Sequence, residues 1–215
     1  GPSVGQFFAE LGAEVIKIEN DRIGGDVTRS WKLSEEKAGD LSAYFCAVNW
    51  GKKSVAIDLT SPDGRRAVAK LAAWADIVVA SYKPGDAEKL GVDFNSLKKQ
   101  NPKLIYGQIT GYGSENDRVG YDAVIQAESG FMDLNGLASG PPIKMPVALI
   151  DLLAAHQLKE GLLLALLKKE KTGEGEFVKV SLIQAAVTAL VNQRENRLVE
   201  LHIPKSQGVD HPQIV

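Results

Sequence analysis

Residues 54–80 read SVAIDLTSPDGRRAVAKLAAWADIVVA and contain the pattern on which the fold assignment rests. Both ends of this stretch are short apolar runs, which predict two strands. Between them, Ser61 supplies a capping hydroxyl and Pro62 a first-turn proline, so the pattern predicts a helix from there to Trp74. A strand, a helix and a second strand in this order are typical of a parallel sheet with right-handed crossovers.

The same alternation continues on both sides of this stretch. Further strands are predicted at 14–19, 104–109 and 177–182, and further helices at 4–11, 121–133, 151–171 and 183–201. This order predicts an α/β protein with a Rossmann-like open parallel sheet and flanking helices. We assign residues 1–182 to one large domain and residues 183–215 to a long helix followed by the start of a linker.

Composition narrows the classes of function. A formal net charge of -2 gives no basic excess for a nucleic-acid partner, and no apolar run is long enough to span a membrane. The single cysteine, Cys46, cannot form an internal disulfide. It lies in an apolar run, which predicts a buried thiol in a reducing compartment, either the cytoplasm or, in a eukaryote, the mitochondrion.

Asp151 is the first candidate for chemistry. It lies between the apolar run 147–150 and an apolar-periodic segment, so its carboxylate is predicted at a helix N-terminus, where an anion is stabilised. An aspartate at this position is most often an N-cap, and composition alone assigns it no further role. The three histidines lack metal-ligand spacing, and no metal site is predicted.

Several lysines lie near predicted strand ends or in the loops that follow, where open α/β sheets bind ligands. They are Lys52, Lys53, Lys83 and Lys89. Both phosphate binding and an ordinary solvated surface are consistent with these positions. The chain has neither a complete G-x-G-x-x-G pattern nor a G-x-S-x-G pattern, which argues against a dinucleotide site and a serine hydrolase.

Short motifs follow one another in a specific order through nearly the whole chain. They include Gly1-Pro2, 11–19 (LGAEVIKIE), 25–29 (GDVTR), 49–55 (NWGKKSV), 82–85 (YKPG), 101–106 (NPKLIY), 126–130 (QAESG), 151–155 (DLLAA) and 171–175 (KTGEG). Together they resemble the class III CoA-transferase family, also called CaiB/BaiF. The resemblance implies an enzyme that moves coenzyme A between small carboxylic acids, with an acyl-CoA and a carboxylate acceptor as partners and no permanently bound cofactor.

The resemblance also implies roles for particular residues. Asp151 would be the nucleophile, forming a mixed anhydride and then an aspartyl-CoA thioester. Coenzyme A would lie along Asn20, Ser81, Tyr82, Lys83 and Lys89. Tyr121 would line the acyl pocket. Formyl-CoA transferases have a basic residue at the position of Asn20, so this chain lacks that charge.

Family members have a strand before the position of Gly1, continue beyond the position of Val215 into a small domain, and form interlocked dimers. We therefore expect this chain to lack that strand and that domain, and the whole enzyme to be a homodimer. Two alternatives remain open. One is an enzyme similar to 2-methylacyl-CoA racemases, in which His156 would act with Asp151 as an acid–base pair. The other is a truncated, non-catalytic fragment that binds CoA or oligomerises.

Overall fold

The computed structural model describes residues 1–36, 39, 41–206, 208 and 210–211. These residues form two compact units, each built from separate stretches of chain. The first unit comprises Gly1–Ser81, Gly85–Gln108 and Gly161–Val178, and the second comprises Tyr82–Pro84, Ile109–Glu160 and Lys179–Val215. The domain boundary assigned after residue 182 remains a prediction.

Parallel strands and helices make up the first unit, which confirms the predicted α/β class. The helices are α1 (Pro2–Glu10), α2 (Ala43–Ala47), α3 (Pro62–Trp74), α4 (Asp86–Leu90) and α5 (Phe94–Lys98), and the strands are β1 (Ile16–Glu19), β2 (Lys53–Ala56), β3 (Ile77–Ala80) and the start of β4 (Ile105–Thr110). Strand β1 pairs in parallel with β2, and β3 with β4. With β5 (Phe177–Ser181), the described strands form two sheets, ordered β1-β2 and β3-β4-β5.

Helix α3 has the ends that its sequence predicts. The Ser61 hydroxyl accepts a hydrogen bond from the Gly64 amide, and Pro62 occupies the first turn. At the other end, the side-chain amide of Asn101 donates to the carbonyls of Ala72 and Ala75 at 3.1 and 2.9 Å. Both ends of the helix are therefore hydrogen-bonded within the first unit.

Lys52 connects two parts of the first unit. Its amine donates to the carbonyl of Pro2 at 2.7 Å, to the carbonyl of Val48 at 2.7 Å and to Oδ1 of Asn49 at 2.8 Å. Burial lowers the pKa of this amine to about 8. Its hydrogen bonds thus tie α1 to the segment between α2 and β2, a structural role in place of the phosphate contact considered from sequence.

The second unit consists mainly of helices. They are α6 (Asp122–Glu128), α7 (Phe131–Leu134), α9 (Leu182–Ala189), α10 (Val191–Glu200) and the first part of α8 (Leu149–Thr172). Strands β4 and β5 begin in the first unit and end in the second. Over the described residues, no helix is long and apolar enough to cross a membrane.

Two predicted helices are interrupted in the structure. The segment 121–133 divides into α6 and α7 because Gly130 between them has a φ of 88°, a left-handed conformation that ends a helix. The segment 183–201 divides into α9 and α10 where Val191 has a φ of 36°. The long helix predicted for residues 183–201 is therefore two shorter helices.

Cys46 is exposed, so the predicted burial of its thiol is wrong. It lies in the short helix α2, which buries Phe45. Successive helical side chains point in directions about 100° apart, so an apolar run in a short helix cannot place every member in the core.

Candidate active site

The first predicted CoA-binding residue, Asn20, follows β1, on the side of a parallel sheet where ligands bind. Its side chain is exposed, and its Oδ1 accepts a hydrogen bond from the Arg22 amide at 3.1 Å. This bond caps a short 3-10 turn at Asp21–Ile23. Asn20 therefore stabilises the turn that follows β1.

The neighbouring Glu19 is buried and organises the loop that follows β1. Arg29 donates to both of its carboxylate oxygens at 2.8 and 2.6 Å, and the Asp26 amide and Ser54 hydroxyl donate at 2.8 and 2.6 Å. The Arg29 hydrogen bond, above all, lowers the pKa of Glu19 to about 2. Arg29 also lies over the Phe45 ring, 4.0 Å from its centroid. This ionised cluster fixes the loop that begins at Asn20.

The other predicted CoA contacts are divided between the two units. Ser81 ends the first stretch of the first unit and is exposed, as is Lys89 on α4, whose amine pairs with Asp86 at 2.9 Å. Tyr82 and Lys83 belong to the second unit. Lys83 is exposed, whereas Tyr82 is half-buried and burial raises the pKa of its phenol. Binding of coenzyme A by these residues therefore remains a prediction.

Asp151 lies in the first turn of α8, as its sequence context predicts, but it is not the N-cap. The helix begins at Leu149, so Asp151 is its third residue. Among the described residues, the Asp151 carboxylate has no hydrogen-bond partner. A carboxylate at the third position often bonds back to the N-cap amide, whereas this one makes no such bond.

The first four amides of α8 all have acceptors, although Ala148, which precedes the helix, has no capping side chain. The Leu149 amide donates to the Val147 carbonyl at 2.9 Å, and the Leu152 amide to the Ala148 carbonyl at 3.1 Å. The amides of Ile150 and Asp151 both donate to Oδ1 of Asp122, at 2.8 and 3.2 Å. A carboxylate from α6 therefore performs the capping that the local sequence lacks.

Gln126, which is fully buried, holds the other oxygen of Asp122. Its Nε2 donates to Asp122 Oδ2 at 2.5 Å and to the Val147 carbonyl at 3.3 Å, and its Oε1 accepts from the Met145 amide at 2.9 Å. Because these bonds fix both Asp122 and the segment leading into α8, they set the position from which Asp151 projects.

The electrostatic surroundings of Asp151 favour its neutral form more than water does. Part of its side chain is exposed, but nearby atoms still desolvate the carboxylate, and this burial raises its pKa. The negative charge of Asp122 raises the pKa of Asp151 further. The result is a more basic carboxylate than an ordinary surface aspartate.

Two further residues considered from the sequence are Tyr121, which precedes Asp122 in the chain, and His156, which follows Asp151. Tyr121 directly precedes α6, and its side chain is 71% exposed. Its role in an acyl pocket remains a prediction. His156 lies about 1.4 turns beyond Asp151 on α8 and is exposed. The helical spacing places the two side chains on different faces, which does not favour the acid–base pair of a racemase.

Sequence reasoning missed the roles of Asp122 and Gln126. Two signals point to them: an alanine where α8 needs a capping side chain, and a glutamine directly after Ile125 in an otherwise apolar stretch. Within the described part of the chain, no group of acidic, histidine and cysteine side chains could hold a metal ion. Fold and site together define an α/β protein with a carboxylate of raised pKa in the first turn of a long helix.

Comparisons with known proteins identify the family of this chain. The model of CoA-transferase family III matches residues 1–215. The chain is 38% identical to the succinate–glutarate CoA-transferase of Agrobacterium fabrum, over 100% of this chain and 55% of that protein. It is 35% identical to the human succinyl-CoA:glutarate CoA-transferase, over 100% and 49%. This chain therefore belongs to CoA-transferase family III.

A solved structure shows the same fold. The crystal structure of a CaiB/BaiF family protein from Brucella suis matches with a TM-score of 0.90 and 38% identity, covering 100% of this chain and 57% of that one. The chain spans about half the length of the curated relatives it matches.

Proposed function

We propose that this chain carries the nucleophile of an enzyme that transfers coenzyme A from an acyl-CoA donor to a small carboxylate acceptor. Asp151 is that nucleophile. The observation that supports this most is the Asp151 carboxylate itself, which has a raised pKa and no hydrogen bond among the described residues, while its main chain is held in place by Asp122.

The reaction requires two exchanges at the Asp151 carboxylate. An oxygen of Asp151 attacks the thioester carbonyl of the donor, the carbon–sulfur bond breaks, and a mixed anhydride and CoA thiolate form. The thiolate then attacks the Asp151 acyl carbon, releasing the donor acid as a carboxylate and leaving an aspartyl-CoA thioester. Covalent catalysis divides one difficult transfer into two easier ones.

The second half repeats these steps in reverse with the acceptor. Its carboxylate attacks the aspartyl-CoA thioester and releases CoA thiolate, which then attacks the acceptor's acyl carbon in the new anhydride. The products are the acceptor's CoA thioester and free Asp151, with no net change in protons. A more basic Asp151 is a better nucleophile toward the donor thioester, and Asp151 must be ionised both when it attacks and when it leaves the second anhydride. Water must be excluded while the anhydride exists.

Small dicarboxylates are the first acids to test. Two similar proteins are named for succinate or succinyl-CoA and glutarate. We extend this substrate class to the present chain by similarity alone. Coenzyme A contacts from Asn20, Ser81, Tyr82, Lys83 and Lys89, an acyl-pocket role for Tyr121, an interlocked homodimer and a cytoplasmic location remain predictions.

The test is intact-protein mass spectrometry after incubation with succinyl-CoA. We expect an added mass of CoA minus water, removed by hydroxylamine, on the parent chain and not on Asp151→Asn. Asp133→Asn is the matched control because Asp133 lies in the same unit, is exposed and has no proposed role. An adduct on Asp151→Asn would refute the assignment of the nucleophile. No adduct on the parent with any acyl-CoA would refute covalent CoA transfer by this chain, and would leave the racemase-like and non-catalytic alternatives.

A further inference from the structure

The start of α8 depends on a side chain outside the helix, and this dependence suggests a role for Asp122. Three N–H donors converge on its carboxylate: the amides of Ile150 and Asp151 on Oδ1, and Nε2 of Gln126 on Oδ2. The two oxygens of this carboxylate accept from all three donors. The negative charge of Asp122 therefore lies close to Asp151.

We propose that Asp122 is a positioning residue, which holds the main chain of Asp151 so that the nucleophile projects from the first turn of α8 in one fixed direction. The inference rests on the proposed role of Asp151 in acyl transfer. Asp122 itself touches no reacting atom in this scheme. Its action passes through two backbone amides, one of which belongs to Asp151.

Gln126 makes this positioning rigid. Its side chain is fully buried and bonds at once to Asp122, to the Met145 amide and to the Val147 carbonyl. The anion that caps α8 and the chain that enters α8 are thus held by the same amide group. A shift of either would move Asp151, and a displacement near 1 Å can reduce a rate by about 100-fold.

The charge of Asp122 has a second consequence for the same nucleophile. Its repulsion of the Asp151 carboxylate works in the same direction as desolvation, so Asp151 is more basic than it would be beside a neutral cap. An ordinary capping residue such as serine would hold the amides without this effect.

The test separates geometry from charge with two variants. Asp122→Asn keeps the Oδ1 acceptor but turns a donor toward the Nε2 donor of Gln126. The double variant Asp122→Asn/Gln126→Glu restores that bond in the opposite sense and keeps an acceptor for the Met145 amide, while the donor to the Val147 carbonyl is lost. It also moves the charge one side chain away from Asp151. The control is again Asp133→Asn.

Each variant is incubated with succinyl-CoA, and the rate of hydroxylamine-sensitive adduct formation is measured against donor concentration. We expect Asp122→Asn to lower the maximal rate by about 10- to 100-fold with little change in the half-saturating concentration. The double variant should recover part of that rate. A parental rate in Asp122→Asn would overturn the inference, as would a double variant that regains the parental melting temperature but none of the rate.

A second measurement does not depend on acyl transfer. In ¹H–¹⁵N spectra of the parent and Asp122→Asn, the amides of Ile150 and Asp151 should show larger shift changes than the amides elsewhere in α8. Unchanged signals would overturn the positioning role even if the parent reacts. If the parent forms no adduct while these two signals shift, the proposed function fails and the capping by Asp122 still holds.

Discussion

The ion pair between Glu19 and Arg29 gives a prediction whose size follows from the structure. In Glu19→Gln, the bidentate contact of Arg29 and the bonds from the Asp26 amide and Ser54 hydroxyl lose their anionic acceptor. Because Glu19 is 5% exposed, water cannot replace that acceptor fully. We expect the substitution to destabilise the first unit.

The lowered pKa of Glu19 gives the size of the contribution that its charge makes. This pKa falls from 4.5 to about 2 in the folded chain. A difference of about 2.5 corresponds to about 3.4 kcal/mol, at about 1.36 kcal/mol for each pH unit. The Arg29 side chain is 28% exposed, and screening by water reduces this contribution, so we expect a loss of about 2 kcal/mol at pH 7.

Urea denaturation of the parent and Glu19→Gln across pH measures this contribution. The folded pKa lies below the unfolded one, so the contribution is present above pH 4.5 and is lost as the pH falls from there toward 2. The difference between the two proteins should therefore shrink on acidification. Glu14→Gln is the matched control, because Glu14 forms an exposed pair with Lys53 and should contribute less than about 1 kcal/mol. Equal losses in the two variants, or a difference independent of pH, would refute the reasoning.

Two further substitutions test close contacts in the fold. Gly111→Ala places a methyl group 2.7 Å from the backbone of Gly120, so we expect a loss of about 1–3 kcal/mol in urea denaturation, while Gly39→Ala, which meets no atom within 4 Å, should have a much smaller effect. Lys52→Met leaves three oxygen acceptors without their donor and should lower the melting temperature at pH 7. The folded pKa of Lys52 is about 8, below the ordinary 10.5. Between these two pH values the unfolded chain binds more protons at Lys52 than the folded chain, so the free energy of unfolding of the parent should rise with pH. Lys52→Met should lack this rise.

The elements that the sequence predicts well are those whose signals are local. Helix α3 has its capping serine, its first-turn proline and its apolar face within one continuous stretch, and it begins and ends where the pattern indicates. The short parallel strands are likewise marked by apolar runs. The interruptions at Gly130 and Val191 escape such patterns, because apolar periodicity continues across both positions while the backbone φ changes sign.

The candidate site is predictable in part for the same reason. The apolar flanks of Asp151 indicate a helix start, and the order of motifs indicates the family, so this residue could be found without coordinates. The contacts of Asp122 with Ile150 and Asp151 join residues 28 and 29 positions apart, and no local spacing encodes them. Asn20 shows the opposite case, since its side chain caps the turn that its own neighbours form.

The alanine before α8 also affects the order in which the chain can fold. A peptide containing only this helix would have no side-chain acceptor for the amides of Ile150 and Asp151, so its first turn would fray. In the protein, we expect that turn to become stable only after the intervening loop closes and α6 docks, which carries an entropic cost that local helix formation does not. The turn that carries Asp151 should thus be consolidated late in folding, and a substitution that slows the docking of α6 would delay it without altering α8.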